Sequence, residues 1–195
     1  MRIELCGGIA AGKTTFSSSI KALQSKYMVV FEEFSNEFLA DFYNNPTYYA
    51  FETELYFLIN HLHQIKVALQ KSDFILCDFS LELDRVYASI NLKNDEWTAY
   101  ERVYQEALRG VRRADCIVLL DCSVDVMIER IIHRGRKGEV AVDKDYQKRI
   151  VDGIKKHLKE AGIKTLELNS EENDLRNCET VYNIISSEPF THWFI

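Results

Sequence analysis

The sequence predicts an α/β domain with a binding site at the ends of its strands. Three features point there: a glycine loop between an apolar strand and a helix, short apolar runs that close on carboxylates, and longer helical stretches separating those runs. The loop comes first. Arg2 to Cys6 alternates and is β-prone, and Gly7-Gly8-Ile9-Ala10-Ala11-Gly12-Lys13-Thr14-Thr15 follows at once. In the pattern G-x-x-x-x-G-K-S/T the glycines let backbone N–H groups turn inward on phosphates. The lysine reaches the β- and γ-phosphates, and the hydroxyl coordinates Mg²⁺. Lys13 and Thr14 hold those two positions. Thr14 to Leu23 can run on as a helix whose positive N-terminal end faces the phosphates. A bare glycine turn would explain the loop, but it is made less economical by the matching strand and helix on either side.

With 195 residues, 47% hydrophobic and 28% charged, the chain fits one globular domain with a proper core. A net charge of −6 argues against holding nucleic acid or an anionic membrane by bulk electrostatics, so neither partner is expected. Five scattered cysteines without C-x-x-C spacing indicate neither a disulfide framework nor a zinc site. The first strand begins almost at residue 1 and no apolar run is long enough to span a bilayer, so a cytoplasmic setting is expected.

The second apolar run, Tyr27 to Phe31, ends in Glu32-Glu33 and delivers carboxylates to a strand end, where open α/β sheets bind ligands. Either glutamate can be the general base for a hydroxyl attacking ATP, or the pair can simply open the next helix in solvent. From Phe34 to Gln70 the pattern turns helical, broken between Phe42 and Pro46, with Pro46 near a helix start. The long helix after it is aromatic on its apolar face, and Glu54 lies among the rings. That face is either an ordinary core stripe or a flat slot for a base with one carboxylate at its edge. Phe74 to Asp78 and Cys116 to Asp121 are further strand signals, and either closing aspartate can complete a Mg²⁺ site with Thr14. Asp121 is adequately explained as a cap for the following helix, which favours Asp78 for the metal. Helices are expected over Leu83 to Leu92 and Asp95 to Arg109.

Arg130-Ile131-Ile132-His133-Arg134-Gly135-Arg136 is the other sharp feature. Arg130 and Arg134 share one helix face, and Gly135 can end that helix and swing Arg136. A basic lid over residues 130–142 can close cations on a transferring phosphoryl group; a helix end that favours the dipole is the plainer account. A helix from Tyr146 to Ala161, a strand from Ile163 to Leu168 and a helix from Asp174 to Ser186 follow. The apolar tail Phe190 to Ile195 can pack on the body or on a partner.

These residues together resemble the deoxynucleoside kinases, in particular the bacterial deoxyguanosine/deoxyadenosine kinase branch. The resemblance covers nearly the whole chain. It rests on the phosphate loop, Glu32, the run Phe42-Tyr43 through Pro46, Phe51, Glu54 and Phe57, the Asp78 segment, and the lid Arg130-x3-Arg134-Gly135-Arg136-x2-Glu139. It implies a P-loop kinase fold, a five-stranded parallel sheet flanked by helices, in a homodimer that transfers the ATP γ-phosphoryl to the 5′-hydroxyl of a deoxynucleoside. Residue by residue, it makes Glu32 the general base, with Glu33 the alternative. Tyr43 and Glu139 hold the sugar 3′-hydroxyl, Glu54 reads the base beside Phe57, and Asp78 with Thr14 binds Mg²⁺. Arg130, Arg134 and Arg136 close on the phosphates. Two departures stand out. Phe79 occupies a position where the family commonly has an arginine that positions the base and the 5′-oxygen. Glu54 stands where many relatives carry glutamine. An ionised carboxylate only accepts, and guanine presents two adjacent donors, so Glu54 favours deoxyguanosine. A nucleoside monophosphate kinase, and a weakly active regulatory subunit suggested by Phe79, are the alternatives.

Overall fold

The computed structural model of the chain describes residues 1–33, 36–136 and 143–195. Within them, β1 (Arg2–Cys6), β2 (Met28–Val30), β3 (Ile75–Cys77), β4 (Cys116–Asp121) and β5 (Thr165–Asn169) pair in parallel in the order β2-β3-β1-β4-β5. The expected five-stranded parallel sheet is present. The chain leaves β1 for the β2 edge, returns through β3, then crosses to β4 and β5. Winding therefore reverses beside β1, and the crevice at that reversal is where such sheets bind ligands.

The helices are α1 (Lys13–Leu23), α2 (Leu39–Asn44), α3 (Pro46–Leu69), α4 (Leu81–Asn91), α5 (Asn94–Val111), α6 (Val124–Arg134), α7 (Lys144–Ala161), α8 (Cys178–Ile185) and α9 (Thr191–Phe194). Strand alternation decides what each covers. Ile3 and Leu5 face α1 and α8 through Phe16, Ile20, Val181 and Ile185. On the other face Cys6, Ile117 and Leu119 pack against Leu83 and Val86 of α4 and Ile150 and Ile154 of α7. Leu58 and Ile65 of α3 and Tyr100 and Tyr104 of α5 cover Ile75 and Cys77. The apolar tail packs on this body: Phe194 is buried, 6.0 Å from Phe16 and 5.8 Å from Tyr27 between ring centres.

Element ends differ from the sequence reading where side chains take over backbone donors. α4 begins at Leu81 because the Ser80 hydroxyl accepts from the Glu82 N–H. α8 begins only at Cys178, since Asp174 accepts from the Arg176 N–H in a turn and Asn177 then caps the helix.

Arg2 and Glu4 are an unexpected pair for a central strand. Both are buried, their side chains meet at 2.8 Å, and Glu4 also accepts from the Leu81 N–H that opens α4. Arg2 donates to the carbonyls of Val111 and Arg112 at the end of α5. Burial pushes the Glu4 carboxyl up, and Arg2 opposes it. Removing one partner leaves an uncompensated buried charge, so Arg2→Met is expected to destabilise the chain by about 3–5 kcal/mol in urea unfolding. The double variant Arg2→Met/Glu4→Leu should lose less than the two single losses added together.

Candidate active site

The loop after β1 has the backbone that its glycines allow. Gly7 and Gly12 lie at φ 151° and 104°, with Ala10 at 63° between them. A Cβ at Gly7 would lie 2.8 Å from the Leu120 carbonyl oxygen, so the loop can approach β4 only without a side chain there. Lys13 donates to the carbonyls of Gly7 and Gly8 at 2.9 and 3.1 Å, which holds its ammonium over the loop. Gln147 of α7 is fully buried and donates to the Ile9 carbonyl at 2.7 Å, pinning the loop from the other side.

A cleft of about 700 Å³ crosses the carboxyl edge of the sheet above this loop. Ile9, Ala10, Gly12, Lys13, Thr14 and Thr15 line its middle, while Gly7, Gly8 and Ala11 are buried behind them. Toward the β2 side the wall is formed by Glu32, Tyr43, Glu54, Phe57, His61, Phe79, Asp84, Tyr87 and Tyr146. Toward β5 it is formed by Arg130, Arg134, Arg136 and the loop from Ser170 to Arg176. Residues expected from distant parts of the chain thus share one cavity. Glu139 lies outside the described residues, as does the rest of the lid from 137 to 142.

Of the two glutamates after β2, Glu32 lines the cleft, while Glu33 is exposed and is not among the lining residues. His61 of α3 approaches Glu32 at 3.6 Å, a charge contact rather than a hydrogen bond. On its other nitrogen His61 meets both carboxylate oxygens of Asp84 at 3.0 and 2.8 Å. Its ring lies flat on Phe79, centres 4.0 Å apart and planes 8° from parallel. Phe79 is therefore the stacking partner of a histidine in this chain. Burial alone would lower the His61 pKa, but Asp84 and Glu32 reverse that and push it up to about 10. Burial likewise pushes Glu32 up, and His61, Lys13 and Arg136 overcome it, so its carboxyl is held below the usual range.

Asp78 is 1% exposed and lies behind the cleft wall rather than in it. It meets the cleft through Thr14, whose hydroxyl faces the Asp78 carboxylate together with that of Ser17. One carboxylate oxygen, Oδ1, is buried with no hydrogen-bond partner among the described residues. Burial raises the Asp78 pKa to about 6. An unpartnered carboxylate oxygen beside a hydroxyl is a donor set that fits Mg²⁺, which takes one or two protein oxygens and completes its shell with phosphate and water. Asp121 is engaged elsewhere: it accepts from Lys155 at 2.8 Å, and Ser123 caps α6 instead.

Glu54 is 4% exposed, and Asn91 of α4 donates to its Oε1 at 2.7 Å while also donating to the Tyr146 hydroxyl at 3.0 Å. Burial, opposed by the Asn91 hydrogen bond and reinforced by the Asp84 carboxylate, raises the Glu54 pKa to about 8. The neutral acid is therefore favoured at pH 7 before any ligand enters, which corrects the ionised carboxylate assumed from sequence. At the lid, Arg130 donates to the Ser170 carbonyl at 2.8 Å and reaches the Ala10 carbonyl at 3.4 Å. It ties the phosphate loop to the β5 loop. Sequence reasoning missed Asp84, Asn91, Tyr146 and Gln147, since none belongs to a local pattern.

A parallel sheet whose first turn has the backbone of a phosphate-binding loop, with a cleft continuing into an aromatic slot on one side and under a basic helix end on the other, defines a P-loop kinase fold. Comparison with known proteins narrows the class. The deoxynucleoside kinase family profile matches residues 3–191, and the chain belongs to that family. It is 34% identical over 167 residues to a deoxyguanosine kinase of Lactobacillus johnsonii, covering 76% of this chain and 72% of that protein. A Dictyostelium discoideum deoxyadenosine kinase is 26% identical over 163 residues, covering 81% of this chain and 66% of its relative. The chain thus matches about two thirds of that protein's length. The structure of a deoxyadenosine kinase from M. mycoides with bound dCTP superposes with a TM-score of 0.80 at 22% identity, covering 95% of this chain and 99% of that one. Among the described residues, no helix is long and apolar enough to cross a membrane.

Proposed function

We propose that the chain transfers the γ-phosphoryl group of ATP to the 5′-hydroxyl of a purine deoxynucleoside, with deoxyguanosine preferred. The observation that carries this reading is the presence of Glu32 in the wall of a cleft that has the phosphate loop beside it and a slot lined by Phe57, Phe79 and Tyr87 beyond it. Glu32 accepts the 5′-hydroxyl proton as the oxygen attacks the γ-phosphorus, and ADP leaves as the bond to the β-phosphate oxygen breaks. Its lowered pKa keeps it ionised for that task. Lys13, Arg134 and Arg136 offset the charge on the moving phosphoryl group, and Arg130 holds the donor loop in place. Thr14 and Asp78 would hold Mg²⁺, which neutralises phosphate charge when bound. Tyr43 and Glu139 hold the sugar, and Phe57 stacks beside the base that Glu54 reads. Family membership supports the same reading for a homodimer in the cytoplasm.

Four deoxynucleosides, each supplied with ATP and Mg²⁺, test the proposal. Phosphorylation of deoxyguanosine and deoxyadenosine well above thymidine and deoxycytidine is expected, with no turnover of dGMP in place of deoxyguanosine. Turnover of dGMP would make the chain a monophosphate kinase. Tight deoxynucleoside binding without phosphorylation would make it a regulatory subunit.

A further inference from the structure

His61 is a buried basic group between two acids, and nothing in the reaction as described uses it. Three contacts fix it. Asp84, reaching in from α4, takes one ring nitrogen with both carboxylate oxygens, at 3.0 and 2.8 Å. Phe79, at the end of β3, fixes the plane of the ring by stacking at 4.0 Å. The remaining nitrogen, Nε2, has no hydrogen-bond partner among the described residues and points its charge at Glu32 from 3.6 Å. The ring is 2% exposed, so water does not screen that charge.

We propose that His61, held by Asp84 and Phe79, is the positioning residue that keeps Glu32 ionised and aimed at the 5′-hydroxyl. This rests on Glu32 being the general base. The charged groups facing His61 are Asp84 from α4 and Glu32 from the end of β2; Glu54 lies two turns away on α3 itself. Lys13 and Arg136 also influence Glu32. Those two cations belong to the phosphate and lid elements, whose partners change as nucleotides come and go. His61 is the one held by the walls of the cleft. Because the protonated Nε2 faces Glu32 across 3.6 Å, it can tighten to a hydrogen bond when the nucleoside fills the slot. A neutral ring would lose most of that hold, since its Nε2 would present a lone pair to a carboxylate if Asp84 kept the Nδ1 proton.

The chain as it exists supplies the first test. Proton–nitrogen NMR of the histidine rings should show His61 still doubly protonated at pH 9. A His61 that loses its proton near pH 6.5 would overturn the proposal without any variant being made. His61→Gln keeps a polar side chain and removes the charge. It should lower kcat by about 10²-fold and move the acid limb of the kcat profile upward by about 1–3 pH units. A role in packing alone would lower the melting temperature and leave the limb where it was, and that outcome also overturns the proposal. Asp84→Asn should bring the His61 titration down toward neutral pH while His61 stays in place. The general-base reading fails separately, through retained turnover in Glu32→Gln, whereas the NMR titration is read with no substrate present.

Discussion

Glu32→Gln is expected to lower kcat for deoxyguanosine by about 10²–10⁴-fold while leaving the dissociation constant of the nucleoside nearly unchanged. Glutamine keeps the shape and a carbonyl acceptor, so the 5′-hydroxyl still finds a hydrogen-bond partner. It cannot take the proton. The comparison that isolates this effect is Glu33→Gln, because Glu33 is exposed and outside the cleft wall, next in sequence to Glu32 but not in the site. Steady-state kinetics and calorimetric titration of both variants with deoxyguanosine settle the assignment. Wild-type kcat in Glu32→Gln would remove the general base, and with it the role given to His61. The pH profile adds an independent sign. His61, Lys13 and Arg136 hold the Glu32 carboxyl below the usual range, so the acid limb of wild-type kcat should fall below the pH at which an ordinary glutamate titrates.

Glu54→Gln is expected to change the ratio of deoxyguanosine to deoxyadenosine turnover by about 10²-fold, in favour of deoxyadenosine. The reason is the protonation state that burial imposes. A neutral carboxylic acid offers one donor and one acceptor, as glutamine does, and suits adenine; the ionised form accepts twice and suits the two donors of guanine. With its pKa raised to about 8, Glu54 has to release a proton when guanine binds in its ionised mode. The wild-type ratio should therefore rise by about tenfold for each pH unit between 6 and 8, and the glutamine variant should show a flat ratio. Stability follows the same linkage. Below the ordinary glutamate range both folded and unfolded chains hold the proton, so Glu54 is neutral in its effect. As pH climbs toward 8 the unfolded chain releases the proton first, so the folded chain binds more protons and loses stability relative to it. Glu54→Gln removes that loss, and its advantage in urea unfolding should be larger at pH 8 than at pH 5. A ratio that does not move with pH would show that guanine is chosen by other groups.

The lid and the pair of aspartates show how far one-dimensional reading reached. Gly135 does end α6, in the left-handed conformation expected of a helix-terminating glycine. Arg130, however, is committed to backbone carbonyls of two loops, which no local pattern discloses. Asp78 and Asp121 look alike as strand-ending acids. Both strands flank β1, so position in the sheet does not separate them; their fates differ because Asp78 faces the hydroxyls of Thr14 and Ser17 in α1, whereas Asp121 finds Lys155 of α7.

The order of amino acids by itself determined the phosphate loop, the five strands, the acids at their ends and the family. These features rest on backbone freedom at glycine, on side-chain periodicity and on residue spacing, all of which are local. Only the tertiary structure decided that Glu32 and not Glu33 enters the cleft, that Phe79 and Asp84 hold His61 against it, and that Glu54 is buried with Asn91 as its donor. The physical reason is that the charge on a buried group depends on how much water it has lost and which charges lie within a few ångströms. Residues 32, 61 and 84 come together only when three separate elements have packed.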